Sequence, residues 1–172
     1  MPTPKVYETE RLFLSPTSAD DAAFVLELLN SPKWIQNIGD RNVHSLKEAE
    51  DYITNRMLPQ LEKLGFSNYT LIRKSDGAKM GSSGLYNREG IEGVDIGFAM
   101  LPEFEGKGYA FEAANKLMTL AKEEFKLSKV SGITIKTNKA SQGLLEKLGL
   151  KFSKIIQLDG DAEELMLYEL EL

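Results

Sequence analysis

The amino-acid sequence predicts an α/β protein with one mixed, mostly antiparallel sheet of about seven strands and about four helices around it. Three observations predict this class. Strand-like and helix-like segments both occur along the chain, three strand-like segments in the middle are separated only by short turns, and the later strands alternate with helices. The 172 residues contain no repeat and no linker, which is typical of a single domain covering residues 1–172.

The predicted strands are short segments in which apolar residues alternate with polar ones or run together, bounded by turn residues. They are RLFLS (11–15), SNYTLIRK (67–74), KMGSSGLYNR (79–88), VDIGFAML (94–101), KVSGITIKT (129–137), KFSKIIQL (151–158) and LMLYELEL (165–172). Short turns join the second, third and fourth strands, so an antiparallel meander is expected. An acidic turn at 159–164 precedes the last strand.

The predicted helices have apolar residues at three- and four-residue spacing, and they cover 18–31, 45–65, 108–125 and 139–149. Ser45 and Glu48 form a capping box at the start of the second helix. We expect this helix to break near Pro59, because proline lacks a backbone N–H, and to stop at Gly65. The polar segment 30–45 is expected to be a loop.

The composition excludes several kinds of chemistry. The chain has no cysteine and a single histidine, His44, which rules out disulfides, thiolate metal sites, a cysteine nucleophile and a multi-histidine metal site. We therefore expect no metal. The net charge of −5 argues against a nucleic-acid partner. Neither a signal peptide nor an apolar run of about 20 residues is present, so a cytoplasmic protein without a membrane partner is expected.

Charge is unevenly distributed along the chain. Residues 105–154 carry ten lysines and five acidic residues, a local charge of +5, whereas the remainder carries −10. This basic sector suits an anionic ligand, although a solvated surface would give the same composition.

A glycine-rich loop, EGKGYA (105–110), joins the fourth predicted strand to the third predicted helix. The Walker sequence GxxxxGK[ST] is absent, so a P-loop is excluded. Gly106 and Gly108 match the start of the dinucleotide pattern GxGxxG, but Phe111 replaces its third glycine and the preceding strand lies in a meander. The glycines and the positive end of the helix favour a pyrophosphate cradle of backbone N–H groups. A simple glycine-rich turn is the alternative.

Three motifs in this order and at this spacing resemble the GNAT superfamily of acetyl-CoA-dependent N-acetyltransferases. They are ETERLFLSPTSADDAAFVLELLN (8–30), DIGFAMLPEFEGKGYAFEA (95–113) and TNKASQGLLEKLGLKF (137–152). The likeness covers nearly the whole chain, and within the superfamily it looks like the Rim-type ribosomal-protein N-terminal acetyltransferases. It implies a GNAT-like fold whose fourth and fifth strands splay apart. Glu105 stands where the family loop usually has glutamine or arginine.

The resemblance also implies the residues that bind acetyl-CoA, the co-substrate. The pantetheine arm is expected to pair with the edge of the fourth strand, and the pyrophosphate is expected on the loop. An asparagine and a serine at the start of the last helix are expected near the arm and the sulfur. The implied binding residues are Phe98, Ala99, Met100, Gly106, Lys107, Gly108, Tyr109, Ala110, Asn138 and Ser141. A helix N-cap is the alternative role for Asn138.

The implied reaction is direct attack of an amine on the thioester, which needs a proton acceptor for the amine and a proton donor for the thiolate. Asp95 is the expected base, with Glu103 and His44 as alternatives. Many family members use a tyrosine as the acid, but Leu145 stands at that position. Ser141 is therefore the expected donor. The alternatives are a water, another tyrosine, or a step that needs no side-chain acid.

These observations predict an N-acetyltransferase acting on a primary amine, either a protein N-terminus or a small molecule. Trp34 and Tyr86 are candidates for the acceptor site. The alternative function is an acyl-CoA-binding module or sensor with little turnover. Either a monomer or a homodimer is compatible with the sequence.

Overall fold

The computed structural model describes residues 5–158 and 163–172. Their strands form one sheet, in the order β1-β2-β3-β4-β5-β6-β8-β7. The strands are β1 (Tyr7–Glu8), β2 (Leu12–Pro16), β3 (Asn68–Arg73), β4 (Lys79–Tyr86), β5 (Val94–Met100), β6 (Lys129–Ile135), β7 (Lys151–Ile156) and β8 (Leu165–Glu171). Seven of these correspond to predicted strands. The eighth, β1, has two residues, and two residues are too few to show a strand pattern in the sequence.

All neighbouring strands in the described sheet are antiparallel except β5 and β6. The predicted meander is confirmed in β3, β4 and β5. The parallel step arises because α5 crosses over between β5 and β6, as parallel neighbours require. The acidic turn predicted at 159–164 falls largely outside the described residues.

The helices are α1 (Ala22–Leu29), α2 (Pro32–Asn37), α3 (Leu46–Tyr52), α4 (Leu58–Leu64), α5 (Tyr109–Glu123) and α6 (Lys139–Lys147). The prediction that segment 30–45 is a loop was wrong at α2. This short helix begins with Pro32, whose fixed φ and missing N–H suit the first turn.

The second predicted helix is continuous from α3 to α4 through a π-helical turn, Ile53–Met57. The turn directly precedes the segment that holds Pro59, where the regular hydrogen-bond pattern must change. The capping box is half formed. Ser45 accepts the N–H of Glu48 at 3.1 Å, whereas the Glu48 carboxylate accepts the N–H of His44 at 3.3 Å. The helix stops at Gly65, with φ of +86°, as predicted.

Two hydrophobic clusters lie on the two faces of the sheet. Alternate side chains of β5 enter them, because Ile96, Phe98 and Met100 pack in the cluster that contains α5, and Ala99 packs in the cluster that contains α1 and α3. No helix of the described residues is long and apolar enough to cross a membrane.

Candidate active site

The parallel strands β5 and β6 separate soon after they begin. Val94 pairs with Val130 and Asp95 with Ser131, and no later pair between these strands occurs in the described sheet. β5 nevertheless continues to Met100 and β6 to Ile135. The splay expected between the fourth and fifth predicted strands is therefore present, between β5 and β6.

The separation leaves one edge of β5 open. On the other edge, the N–H of Leu101 donates to the carbonyl of Met80 at 2.9 Å, and Ala99 pairs with Ser82. Backbone groups of successive strand residues point to opposite edges, so those of Phe98 and Met100 face the open side. Those of Ala99, one of the expected binding residues, face β4. An open edge of this kind can accept an extended, amide-containing ligand.

The glycine loop has the backbone conformation that its glycines favour. Gly106 has φ of +73° and Gly108 has φ of +82°, both in the left-handed region. Gly108 is the N-cap of α5, so the N–H groups that follow it, including those of Tyr109 and Ala110, belong to the first helical turn. Gly106 and Lys107 are exposed. This places unpaired helical N–H groups and the positive helix end at the loop, which suits a phosphate.

Arg11, which directly precedes β2, holds the loop against the sheet. Its guanidinium donates to the carbonyl of Lys107 at 3.1 Å and to the carboxylate of Glu112 at 2.7 Å, and it lies 4.3 Å from the centre of the Tyr109 ring. Glu112 also accepts from Thr9 at 2.5 Å. Burial alone would raise the pKa of Glu112, but the hydrogen bonds from Thr9 and Arg11 lower it below its ordinary value.

Glu105 places a carboxylate in the same loop, where it would oppose an anionic ligand. Its carboxylate forms an ion pair with Lys33 of α2. The ion pair reduces the repulsion and ties α2 to the loop.

Asp95 lies at the point where β5 and β6 separate, and its side chain is fully buried. Its Oδ1 accepts from Nε of Arg88 at 2.8 Å, whereas its Oδ2 has no partner among the described residues. Burial raises the pKa of Asp95 above its ordinary value, and the positive charge and hydrogen bond of Arg88 offset this only in part. A carboxyl group with this environment is suited to proton transfer.

A cavity of about 680 Å³ extends across the separated strands to α2 and the π-helical turn, within the usual size range of ligand sites. Asp95 faces it from the same side of β5 as Ala99, because side chains two and four residues apart share a face. Its lining includes Leu145 and many of the expected residues: Trp34, Tyr86, Asp95, Phe98, Ala99, Asn138 and Ser141.

The start of α6 supplies Asn138 and Ser141 to this cavity. Asn138 is the helix N-cap, and its Oδ1 accepts the N–H of Ser141 at 3.1 Å. Both side chains are half-buried. Leu145 is buried beside Gly132 of β6, so an apolar side chain occupies the position at which many family members have a tyrosine.

Other candidates are less centrally placed. His44 and Glu103 are exposed, and neither belongs to the cavity lining. The hydroxyl of Tyr86 donates to Asn68 at 2.5 Å, and burial raises its pKa. Nε1 of Trp34 is buried without a hydrogen-bond partner among the described residues. Within residues 5–158 and 163–172, no group of three or more histidine, cysteine, aspartate or glutamate side chains could hold a metal ion.

Four arginines that sequence reasoning missed contribute to this region: Arg11, Arg41, Arg56 and Arg88. A signal existed for Arg88, because the short connection between the antiparallel strands β4 and β5 brings it close to Asp95, as the pairing of Tyr86 with Asp95 shows. No comparable signal existed for Arg11, whose partners Lys107 and Glu112 lie about a hundred residues further along the chain.

The fold and the split strands define an acetyltransferase of the GNAT class. The family model of the acetyltransferase (GNAT) domain matches residues 11–151. The chain therefore belongs to this family of acetyl-CoA-dependent acyltransferases. The resemblance inferred from the sequence and the expected GNAT fold are thereby confirmed.

Among curated proteins, the uncharacterized N-acetyltransferase YoaA of Bacillus subtilis (strain 168) is 23% identical over 153 residues, covering 88% of this chain and 86% of YoaA. Among solved structures, an acetyltransferase from Agrobacterium tumefaciens str. C58 superimposes with a TM-score of 0.83 at 21% identity, covering 100% of this chain and 97% of that one. RimL, a ribosomal L7/L12 alpha-N-protein acetyltransferase in complex with coenzyme A, gives a TM-score of 0.83 at 16% identity, covering 98% of each chain.

Proposed function

We propose that this protein transfers the acetyl group of acetyl-CoA to a primary amine by direct attack, and that the acceptor is a protein N-terminus or a small amine. The main support is the open edge of β5, which lies between the glycine loop and the buried carboxylate of Asp95. RimL acts on a ribosomal protein N-terminus, which makes a protein acceptor reasonable.

The binding residues follow from this arrangement. The backbone groups of Phe98 and Met100 pair with the pantetheine amides, while Ala99 adds its side chain to the cavity wall. The loop residues Gly106 to Ala110 hold the pyrophosphate through backbone N–H groups, with added charge from Lys107. The half-buried side chains of Asn138 and Ser141 line the cavity, and in the proposed complex they contact the arm and the sulfur.

The proposed proton transfers use groups of the cavity. The acceptor nitrogen loses its proton to Asp95, directly or through a water, and forms the C–N bond. A backbone N–H on the open edge of β5 stabilises the negative charge on the carbonyl oxygen. The C–S bond then breaks, and Ser141 or a water protonates the thiolate. The chain has no cysteine, so an acyl-cysteine intermediate does not occur.

A second candidate function, an acyl-CoA-binding module or sensor with little turnover, is favoured by one observation. Leu145 is buried at the position at which many family members have a proton-donating tyrosine. Slow protonation of the thiolate would leave binding intact and reduce turnover.

Calorimetric titration with acetyl-CoA, followed by measurement of free CoA with a panel of peptides and amines, separates these functions. We expect binding and acceptor-dependent CoA release. Absence of binding at about millimolar ligand, a free energy near −4 kcal/mol, would contradict both functions. Binding without release above background hydrolysis would support the sensor instead.

Substitution of the two proton-transfer residues tests the mechanism. We expect Asp95→Asn to lower kcat by about 10²–10⁴-fold and Ser141→Ala to lower it by less. Both variants should change the affinity for acetyl-CoA only slightly. Unchanged rates would remove these roles without affecting the assignment to the family. Glu103→Gln is the matched control, because its carboxylate is exposed and outside the cavity lining.

A further inference from the structure

The cavity contains more positive than negative side chains, although the chain as a whole carries −5. Three arginines belong to its lining, Arg41, Arg56 and Arg88, against two carboxylates, Asp40 and Asp95. An excess of positive charge in the cavity of an acidic protein indicates an anionic group in the ligand that binds there.

Charged side chains of the lining that already have an oppositely charged partner are not available to a ligand. Arg88 is bound to Asp95 at 2.8 Å, so these two charges offset each other. Asp40 accepts the N–H of Asn42 at 2.7 Å and lies 3.6 Å from His44, and in the described residues it is the one carboxylate of the lining without an arginine or lysine partner. Neither Arg41 nor Arg56 forms an ion pair with a carboxylate in the described ranges 5–158 and 163–172. These two guanidinium groups are therefore the ones left for a ligand.

Arg56 belongs to the π-helical turn. Tyr52 precedes the turn and Met57 ends it, and both line the same cavity as Arg56. Residues four apart already share one side of a regular helix, and the wider π turn brings residues five apart to that side as well. The guanidinium carbon of Arg56 lies 5.5 Å from the centre of the Tyr52 ring, which holds the charge at the cavity.

These arginines are separate from the proposed phosphate cradle. Gly106 and Gly108 do not belong to the lining of this cavity, whereas Arg41, Arg56 and Asp95 do. The free guanidinium groups therefore share a cavity with the carboxylate that receives the amine proton. The site therefore requires an acceptor with an amine that faces Asp95 and an anionic group that faces the arginines.

We propose that the acceptor amine also carries a carboxylate, which Arg56 binds together with Arg41 while the amine faces Asp95. This inference rests on the proposed function and makes it more specific. A planar guanidinium binds a carboxylate through two parallel hydrogen bonds and thereby fixes the orientation of the acceptor. A free amino acid and an acidic peptide N-terminus share this chemistry.

The test compares acceptors that differ only in the carboxylate. One pair is γ-aminobutyrate and n-butylamine, and the second is the C-terminally amidated peptide Ala-Glu-Glu-Ala with its equally amidated glutamine counterpart, which carries no carboxylate. We expect kcat/KM, measured by CoA release, to be about tenfold or more higher for the acidic member of at least one pair, as a charge-assisted contact provides. The preferred pair distinguishes a small acceptor from a peptide.

Variants locate this preference. Arg56→Gln is expected to raise the KM for the acidic acceptor about tenfold and to leave the KM for acetyl-CoA within about twofold. Arg56→Lys, which keeps the charge, is expected to restore part of the preference. Lys63→Gln is the control, because it removes the same charge from an exposed position on the adjoining helix α4.

Two results would overturn the inference while the proposed function stands: equal kcat/KM for the neutral and acidic members of both pairs, or a rise in the KM for acetyl-CoA in Arg56→Gln. The second would assign Arg56 to a CoA phosphate. Failure of every amine to release CoA, despite acetyl-CoA binding, would overturn the proposed function and this inference with it.

Discussion

Asp95 illustrates how a single residue depends on its surroundings. The carboxyl group is fully buried, and Arg88 provides one hydrogen bond at 2.8 Å. Burial raises the pKa, and Arg88 lowers it again only in part. If deprotonated Asp95 is the base, activity must rise with pH through this raised pKa, and not through the value of about 4 that is usual for aspartate.

We expect the acid limb of the pH profile of kcat/KM to lie above the ordinary aspartate range. Replacing Arg88 with glutamine removes the influence that lowers the pKa, so the limb should move to still higher pH. Asp95→Asn should remove the limb altogether. An unchanged limb in Asp95→Asn would assign it to another group, such as the acceptor amine.

Arg11 is the second residue whose effect can be isolated. It joins β2 to the carbonyl of Lys107 and to Glu112, so its loss should loosen the loop that is proposed to hold the pyrophosphate. We expect Arg11→Ala to raise the KM for acetyl-CoA about tenfold, in line with loss of charge-assisted hydrogen bonds, and to leave the KM for the amine nearly unchanged. Steady-state kinetics with each substrate varied in turn measures both values.

Lys5→Ala is the matched control for Arg11. Lys5 forms an ion pair with Glu124 at 2.6 Å and so joins the N-terminal segment to the far end of the same helix. A similar rise of the acetyl-CoA KM in both variants would mean that general loosening of α5, and not the position of the loop, is responsible.

At the scale of elements, the glycine loop and α5 form one unit. Gly106 has φ of +73° and its Cβ position is open, so alanine there would add only backbone strain. Gly77, in the turn between β3 and β4, has φ of +75° and is equally open, but it lies away from the loop. Comparing alanine substitutions at these two glycines separates the effect of backbone strain on stability from an effect on ligand binding.

We expect Gly106→Ala and Gly77→Ala each to lower the free energy of unfolding by about 1–2 kcal/mol, the cost of a left-handed conformation for alanine. Chemical denaturation measures this. Only Gly106→Ala should also weaken acetyl-CoA binding in calorimetric titration. Equal affinities in the two variants would argue against the loop as the phosphate site.

Elements also differed in how well the sequence predicted them. The strands of the meander and the amphipathic α5 were predicted because their patterns repeat over many residues, and both are present. The short α2 was missed because six residues give too little periodicity, and its helical start depends on Pro32. The π-helical turn was not predicted either, because the pattern of apolar residues hardly differs between α and π turns over five residues.

At the scale of the whole molecule, charge is unevenly distributed: residues 105–154 carry +5 in a chain of −5. Some of this charge is already neutralised in the fold, since Lys129 pairs with Glu169 and Lys136 with Glu164. The glycine loop and α6, which are proposed to contact CoA, both belong to the basic sector.

We expect acetyl-CoA affinity to fall several-fold as ionic strength rises from about 0.01 M to 0.15 M, because the screening length contracts from about 30 Å to 8 Å. Titration at several salt concentrations tests this. Pantetheine, which has no phosphates, should show little salt dependence and serves as the control ligand. An affinity that increases with salt would mean that the −10 of the remaining chain dominates.

The sequence by itself determined the class of fold, the glycine loop and the family, because these depend on local periodicity, on glycine conformation and on motifs within short segments. It also predicted Asp95, Asn138 and Ser141 as site residues, and all three line one cavity. The tertiary structure determined which side chains contact one another. Only folding brings Arg11 to Lys107, Lys33 to Glu105 and the free arginines to the cavity, because those contacts join residues far apart in the chain and leave no mark in the local sequence.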